Sequence, residues 1–328
     1  MIRSYHRRVW RRKEGRMEIR KLKSSDVPEL IDGWNRNLIH DPITEKQFRY
    51  IALEDPNVEA DGNLVAADRG KIIGFISAVA REGVKGRDGR GRPEERDYGY
   101  IKAIFVKESR SDYEEIGTKL IEAAEGYLRS KGKKIVSLVL YTGRYFFPGI
   151  DLRYGRLLRL LEAAGYRRVA TIDDLAVDLR SYSPTVYQLK ARRRAERLGV
   201  RVEGYRPEML DEMRLFVERL DMPCWFPEGW EREYVLKREN TVVALRDGGI
   251  VGWANFWPDG EQGWFGPIGV LEEYRGNGIG SWLLMESTLR MKEAGANIAI
   301  AGWAATGFYL KNGWRIYRRY AAFRKERI

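Results

Sequence analysis

Arg275-Gly276-Asn277-Gly278-Ile279-Gly280 follows an apolar run, Phe265-Gly266-Pro267-Ile268-Gly269-Val270, and leads into Ser281-Trp282-Leu283-Leu284-Met285. The order predicts a strand, a glycine-rich turn and the start of an amphipathic helix. A helix start leaves backbone N–H groups unpaired and carries partial positive charge. Glycines let that backbone approach a phosphate with no Cβ in the way. The stretch therefore predicts a site for a phosphate-bearing cofactor. A dinucleotide-binding turn is the competing reading. It needs the loop near the start of its βαβ unit and an acidic residue about 20 positions on. Here the loop comes after four expected strands of its own unit and opens a later helix.

The same order of elements occurs earlier in the chain. Ile104-Phe105-Val106 echoes Ile268-Gly269-Val270, and Ile116-Gly117-Thr118-Lys119-Leu120 echoes Ile279-Gly280-Ser281-Trp282-Leu283. Gly165-Tyr166 echoes Gly313-Trp314. Two tandem copies of one α/β unit account for this self-similarity. In the first copy, strands are expected over 17–23, 63–69, 72–80, 97–107, 134–141 and 167–179, with helices over 26–37, 44–53, 113–131 and 152–164. In the second, strands are expected over 200–206, 241–246, 250–258, 262–271, 296–302 and 315–324, with helices over 207–220, 279–294 and 304–312. The expected organisation is a basic extension (1–16), a first α/β domain (17–180), a basic linker helix (181–199) and a second α/β domain (200–328).

Charge and composition narrow the function. Of the net +12, residues 1–16 hold +6 and residues 190–201 hold +5. Both expected domains are thus near neutral, and the basic segments read as a solvated tail and linker before they read as a nucleic-acid surface. Translation starting at Met17, where the first strand begins, is one reading of the extension. With one cysteine, Cys224, no intrachain disulfide forms, which fits a reducing, cytoplasmic setting. Two histidines, His6 and His40, argue against a histidine metal site. No apolar run is long enough to span a bilayer.

The two copies differ where the chemistry would lie. Asp112-Tyr113-Glu114-Glu115-Ile116-Gly117 stands in place of Arg275–Gly280, and Leu161 stands in place of Tyr309. Carboxylates and missing glycines oppose a phosphate, so the second copy is expected to hold the site and the first to support it.

The Arg-x-x-Gly-x-Gly turn after a strand, followed by a helix, a strand and Phe308-Tyr309-Leu310-Lys311-Asn312-Gly313-Trp314, resembles the GNAT superfamily of acetyl-CoA-dependent N-acetyltransferases. The resemblance covers nearly all of 200–328 and, more weakly, 17–180, in the tandem arrangement of which mycothiol synthase is one example. It implies an α/β (α+β) fold, with a mixed and mostly antiparallel sheet flanked by helices in each unit. Acetyl-CoA is the implied co-substrate, with no metal. The amides of Gly276, Asn277, Gly278, Ile279, Gly280 and Ser281 would hold its pyrophosphate, with side-chain help from Arg275 and Ser281. Ile268, Gly269 and Val270 would flank the pantetheine, and the Ile268 amide would polarise the acetyl carbonyl. Gly266 and Pro267 suit a bulge or splay in that strand. Tyr309 aligns with the tyrosine that protonates the departing thiolate; as a plain aromatic core residue it is equally readable.

The acceptor implied is a primary amine of a small molecule or peptide, taken by a monomer or homodimer. Met222–Pro227 lies where this family places an acceptor loop, making Trp225, Phe226 and Trp230 the candidate substrate contacts. Eight of ten tryptophans fall in the second copy, and most read as core. Glu261, Asp259 and Glu228 are candidate bases, none fixed by a motif. A non-catalytic acyl-CoA sensor and a ribosome- or nucleic-acid-associated module remain the alternatives.

Overall fold

A computed structural model describes residues 17–81, 96–141, 144–220 and 239–328. In the first half, β1 (Glu18–Lys21), α1 (Val27–Asn37) and α2 (Glu45–Phe48) precede the hairpin β2 (Asn63–Asp68) and β3 (Lys71–Val79). They are followed by β4 (Tyr98–Val106), α3 (Tyr113–Ser130), β5 (Ile135–Leu138), β6 (Ile150–Asp151), α4 (Gly155–Ala163) and β7 (Arg167–Asp178). The linker forms α5 (Val186–Arg197). The second half runs β8 (Arg201–Gly204), α6 (Leu210–Leu220), β9 (Thr241–Arg246), β10 (Gly249–Asp259), β11 (Gln262–Val270), α7 (Ile279–Glu293), β12 (Ile298–Ala304), α8 (Thr306–Lys311) and β13 (Arg315–Glu326). The expected α/β class and element order hold. Two differences are local: the expected helix over 44–53 is α2 followed by a π turn at Arg49–Leu53, and β6 is too short to show a periodic pattern.

Both halves turn the β2–β3 and β9–β10 hairpins with the same chemistry. Arg69-Gly70 and Asp247-Gly248 take positive φ at both positions (51° and 77°, 50° and 82°). That is the two-residue turn whose twist matches the flanking strands. Trp34 and Trp314 are buried in their respective halves, as the core reading of the aromatics requires.

Among the described residues the strands form one sheet, in the order β1-β2-β3-β4-β5-β13-β7-β12-β11-β10-β9-β8, with β6 on β13. The middle of this order is an exchange. β13 pairs with β5 of the first half, and β7 pairs with β12 of the second. The cores confirm it. Tyr320, Ala321, Ala322 and Phe323 of β13 pack in the first core, while Leu175 and Leu179, on β7 and just after it, pack in the second. Each half is closed by the other half's last strand.

The linker helix α5 lies on α7. This changes the expectation of an amphipathic α7: Ile279, Ser281, Trp282, Leu283, Leu284, Met285, Ser287, Thr288 and Met291 are all buried. A helix covered on both sides is apolar nearly all round. The buried hydroxyls of Ser287 and Thr288 donate to the carbonyls of Leu283 and Leu284, at 2.9 and 2.6 Å, so they leave no orphan. Among the described residues no helix is long and apolar enough to cross a membrane.

Candidate acyl-CoA site

β11 and β12 run parallel and pair only over Gln262–Phe265 with Ile298–Ala301. Beyond Phe265 the two strands part. The split coincides with a bulge: the β10–β11 register shifts between Ala254 and Phe256, opposite Gly266-Pro267. Gly266 itself takes a φ of 128°, which its lack of a Cβ allows. The expected splay is therefore present, at the expected residues.

The ladder fixes which amides face the gap. Leu271 N–H donates to the Val251 carbonyl at 3.1 Å, and the register pairs Gly269 with Trp253 and Ile268 with Ala254. Antiparallel ladders alternate bonded and non-bonded pairs. The N–H groups of Ile268 and Val270 thus turn away from β10 and into the gap. Gly269 is spoken for by β10, and a Cβ there would lie 2.8 Å from Leu220 of α6.

At the mouth of the gap, Gly276 and Gly278 take φ of 80° and 89°, and Gly278 is the N-cap of α7. The first backbone bond of the helix runs from Trp282 N–H to the Gly278 carbonyl at 3.0 Å. Among the described residues no backbone carbonyl accepts from the amides of Gly276, Asn277, Gly278, Ile279, Gly280 or Ser281. Gly276 has nothing within 4 Å of where a Cβ would sit. Unpaired amides, open space and a helix N-terminus fit a pyrophosphate. Arg275 folds back, its Nε donating to the Val270 carbonyl at 3.1 Å, so it stands where the gap meets the loop. The Asn277 amide group braces the turn through the carbonyls of Tyr274 and Arg275.

Tyr309 lies on α8 with its ring edge-on to Phe265, Phe308 and Trp314. Burial raises its phenol above the ordinary value, so it stays protonated. Its hydroxyl has no hydrogen-bond partner among the described residues, unlike a core tyrosine whose hydroxyl is held. Trp225, Phe226 and Trp230 lie outside the described residues, as do Glu228 and Cys224. Trp253, with Val251 and Asn255 on the same strand face, is core; Trp257 and Trp264 are partly open, at 38% and 42% exposed.

Two contributors escape a reading by motif. The linker helix packs against the loop: Arg194 donates to the Gly276 carbonyl at 2.9 Å, and the Arg192 guanidinium sits 5.2 Å over the Trp282 ring. Part of the basic linker thus borders the glycine loop. The second is Asp174 of the exchanged strand β7, whose Oδ1 accepts the Trp303 N–H of β12 at 3.0 Å. Neither residue type nor spacing marks them, because both reach the site through tertiary topology.

The first half shows the same frame, with β4 and β5 paired only over Tyr98–Ile101 and Ile135–Leu138. Tyr113, in place of Gly276, is 1% exposed and points inward; with Phe105, Val106 and Leu157 it lines a cavity of about 10 Å³. That holds one water at most. Arg156 lies 4.1 Å over the Tyr113 ring and pairs with Glu114 at 2.8 Å, while Arg110 bridges Asp112 and Asp68. Glu115 pairs with Lys119. The carboxylates expected to repel a phosphate are largely neutralised, and the stronger obstacle is Tyr113. Leu161, in place of Tyr309, is fully buried. At the bulge, fully buried Lys102 occupies the place of Gly266.

Two α/β halves, the second with parted parallel strands beside a glycine-capped helix, describe an acyltransferase fold. Family comparison agrees. Residues 26–144 match the acetyltransferase (GNAT) family and residues 237–316 match the acetyltransferase (GNAT) domain. The chain belongs to the GNAT acetyltransferases, with one such unit in each half. Its fold is similar to the GCN5-related glucosamine N-acetyltransferase region of a fungal multi-domain GH3 beta-N-acetylglucosaminidase, with TM-score 0.77 and 19% identity. That match covers 95% of this chain and 38% of the fungal one, so this chain spans well under half of that protein. It is also similar to a GCN5-related N-acetyltransferase from Sphaerobacter thermophilus (TM-score 0.67, 18% identity, 95% and 96% covered). A tandem GNAT protein from the clavulanic acid biosynthesis pathway gives TM-score 0.64 at 14% identity, with 95% and 98% covered. None of the curated proteins compared by sequence matches the chain.

Proposed function

We propose that the protein transfers an acetyl group from acetyl-CoA to a primary amine of a small molecule or peptide, by direct attack in a ternary complex within the second half. The observation that carries this reading is the contrast between the two gaps. One is open, with the Ile268 N–H facing into it and unpaired amides from Gly276 to Ser281 at its mouth. The other carries the buried side chains of Tyr113 in place of Gly276 and Lys102 in place of Gly266.

Bound acetyl-CoA would supply an acetyl thioester. The Gly276–Ser281 amides hold the pyrophosphate, and Arg194 and Arg275 add positive charge beside them. The Ile268 N–H donates to the carbonyl oxygen as negative charge develops there. Tyr309 gives its proton to the departing sulfur. Because a thiolate leaves readily, Tyr309→Phe is expected to lower kcat by about 10-fold, at or below the usual range for general acid catalysis. It should leave CoA affinity and thermal stability unchanged, since the hydroxyl has no hydrogen-bond partner among the described residues. A wild-type kcat in that variant removes the acid role.

The deciding experiment is calorimetry with CoA followed by acetyl-CoA turnover against a panel of amines. One CoA site per chain and amine-dependent thiol release are expected. Two equivalent sites overturn the asymmetry between the halves, and binding without turnover of any amine leaves a sensor. The family's use of acyl-CoA and the amine substrate named for the fungal relative support the reading.

A further inference from the structure

The proposed transfer leaves one step without a residue: the acceptor amine must lose protons to become and remain a nucleophile. The strand exchange brings a carboxylate to that place. β7 pairs with β12 through Leu175 opposite Ala301, and Ala301 is the last β12 residue paired with β11. Leu175 packs in the second core, beneath α7 and α8. Strand residues alternate faces, so Asp174 and Gly302 turn to the other face, away from those helices. A Cβ built on Gly302 lies 3.5 Å from Asp174 Oδ1 and 4.0 Å from the Tyr145 hydroxyl. The two groups therefore stand over the residue at which β11 and β12 part.

This carboxylate is 5% exposed, and its surroundings are set. Oδ1 accepts the Trp303 N–H at 3.0 Å and Oδ2 accepts the Tyr320 hydroxyl at 2.5 Å. The Tyr145 ring stands edge-on to Trp303 at 6.0 Å. Trp264, 42% exposed, lies on the same face of the neighbouring strand. Each carboxylate oxygen retains a lone pair for a further donor. A negative group among aromatic rings is a receptor for a cation. The feature belongs to one gap only. In the first half the register sets Leu138 opposite Phe323, as Ala301 stands opposite Leu175, so Ala322 occupies the place of Asp174.

Resting on the acetyl transfer proposed above, the geometry points to Asp174 as the carboxylate that receives the acceptor's ammonium group and takes up its proton. The acceptor class is then a protonated primary amine, and the catalytically silent half contributes to the acceptor side through Asp174 and Tyr145. The balance is as follows. One ammonium proton passes to Asp174, freeing the nitrogen lone pair. The N–C bond forms as the C–S bond breaks, the second proton leaves nitrogen for solvent, and the sulfur takes the Tyr309 proton, which Tyr309 regains from solvent. Asp174 then releases its proton to water.

Burial lifts the Asp174 carboxyl above the ordinary value, and Asp41 pushes the same way; the Tyr320 and Trp303 hydrogen bonds and Arg318 oppose them. Burial, and with it the same carboxylate, raises the Tyr145 phenol to about 12. A base of this kind acts only when ionised, so the amine-dependent kcat/KM should rise with pH through the Asp174 value.

Asp174→Asn tests this directly. CoA affinity by calorimetry should match wild type. With glucosamine, benzylamine, 1,4-diaminobutane and a lysine peptide as probes, kcat/KM for the best amine should fall about 100-fold, the low end for a lost general base. Its acid limb should disappear, leaving only a rise towards the free amine's own pKa. An unchanged profile overturns the inference while amine acetylation by wild type still stands. Failure of wild type to acetylate any probe overturns both. Should Asp174→Asn lose CoA binding through misfolding, Gly302→Ala decides, since its methyl meets Asp174 at ordinary contact distance. It should raise the amine KM about 10-fold with CoA affinity intact, and an unchanged KM overturns the assignment.

Discussion

Gly278→Glu is expected to eliminate CoA binding and to destabilise the protein by about 3 kcal/mol or more. The substitution imports the residue the first half carries at this position. By charge alone it places a carboxylate against the pyrophosphate. The structure adds two further costs. Gly278 sits at φ 89°, where a side chain costs about 1–2 kcal/mol. Its Cβ would also lie 2.3 Å from the Ala191 carbonyl oxygen and 2.8 Å from the Ala191 carbonyl carbon and Cα of the linker helix. No flexible side chain can yield there, so α5 must move, at the cost usual for overpacking. Lost CoA binding in this variant alone therefore does not separate charge from shape. Asn277→Glu does, because Asn277 has no positive φ and imports Glu114 of the first half without that collision. It loses the two long hydrogen bonds to Tyr274 and Arg275, so it should lower thermal stability only slightly, and it should weaken CoA about 10- to 100-fold, the effect of roughly 1.4–3 kcal/mol of repulsion at a partly exposed site. Wild-type CoA affinity in Asn277→Glu would show that the phosphate lies elsewhere.

These two substitutions also mark how far the chain could be read from its letters. The glycine turn and the bulge at Gly266-Pro267 were legible because each depends on local backbone geometry that few residues supply. The decay of the first site was legible as lost glycines, but its physical form was not. Sequence suggested repulsion by Glu114 and Glu115, whereas the structure buries Tyr113 in place of Gly276 and pairs the acids with Arg156 and Lys119. The strand exchange was not legible at all. β7 and β13 both follow a helix ended by glycine and have similar lengths, so nothing local says which half each will close. Asp174 and Arg194 enter the site only through that topology and through the docking of α5. A contact made by tertiary arrangement leaves no periodicity behind.

Asp55→Ala is expected to destabilise the fold by about 3–5 kcal/mol near neutral pH, the usual cost of stranding a buried charge. Lys102 Nζ donates to Asp55 Oδ2 at 2.7 Å and to the Ile51 carbonyl at 2.6 Å, and its side chain is fully buried. The Tyr141 hydroxyl donates to the same Oδ2 at 2.9 Å, and the ammonium lies 5.0 Å from the Tyr141 ring centre. Burial pushes Lys102 down to about 8 against the pull of Asp55. Burial alone would raise the Asp55 carboxyl, but the Lys102 ammonium holds it below its ordinary value. The signs then differ. Stability from Asp55 is present above its ordinary range and is lost as pH falls through its lowered value. For Lys102, the unfolded chain keeps a proton that the folded chain has shed between about 8 and 10.5, so its contribution rises with pH across that window. Without Asp55 the lysine is depressed further, and a neutral amine needs no counter-ion. The cost of Asp55→Ala should accordingly be largest near pH 7 and shrink towards pH 10, and Asp55→Leu combined with Lys102→Met should recover most of it. Urea unfolding at both pH values measures this, and a pH-independent cost would mean that packing, not the ion pair, was lost. CoA affinity of the second half should be unchanged throughout. The pair sits at the bulge where the second half has Gly266, so the first half holds by a buried ion pair a place that the second half leaves to a glycine.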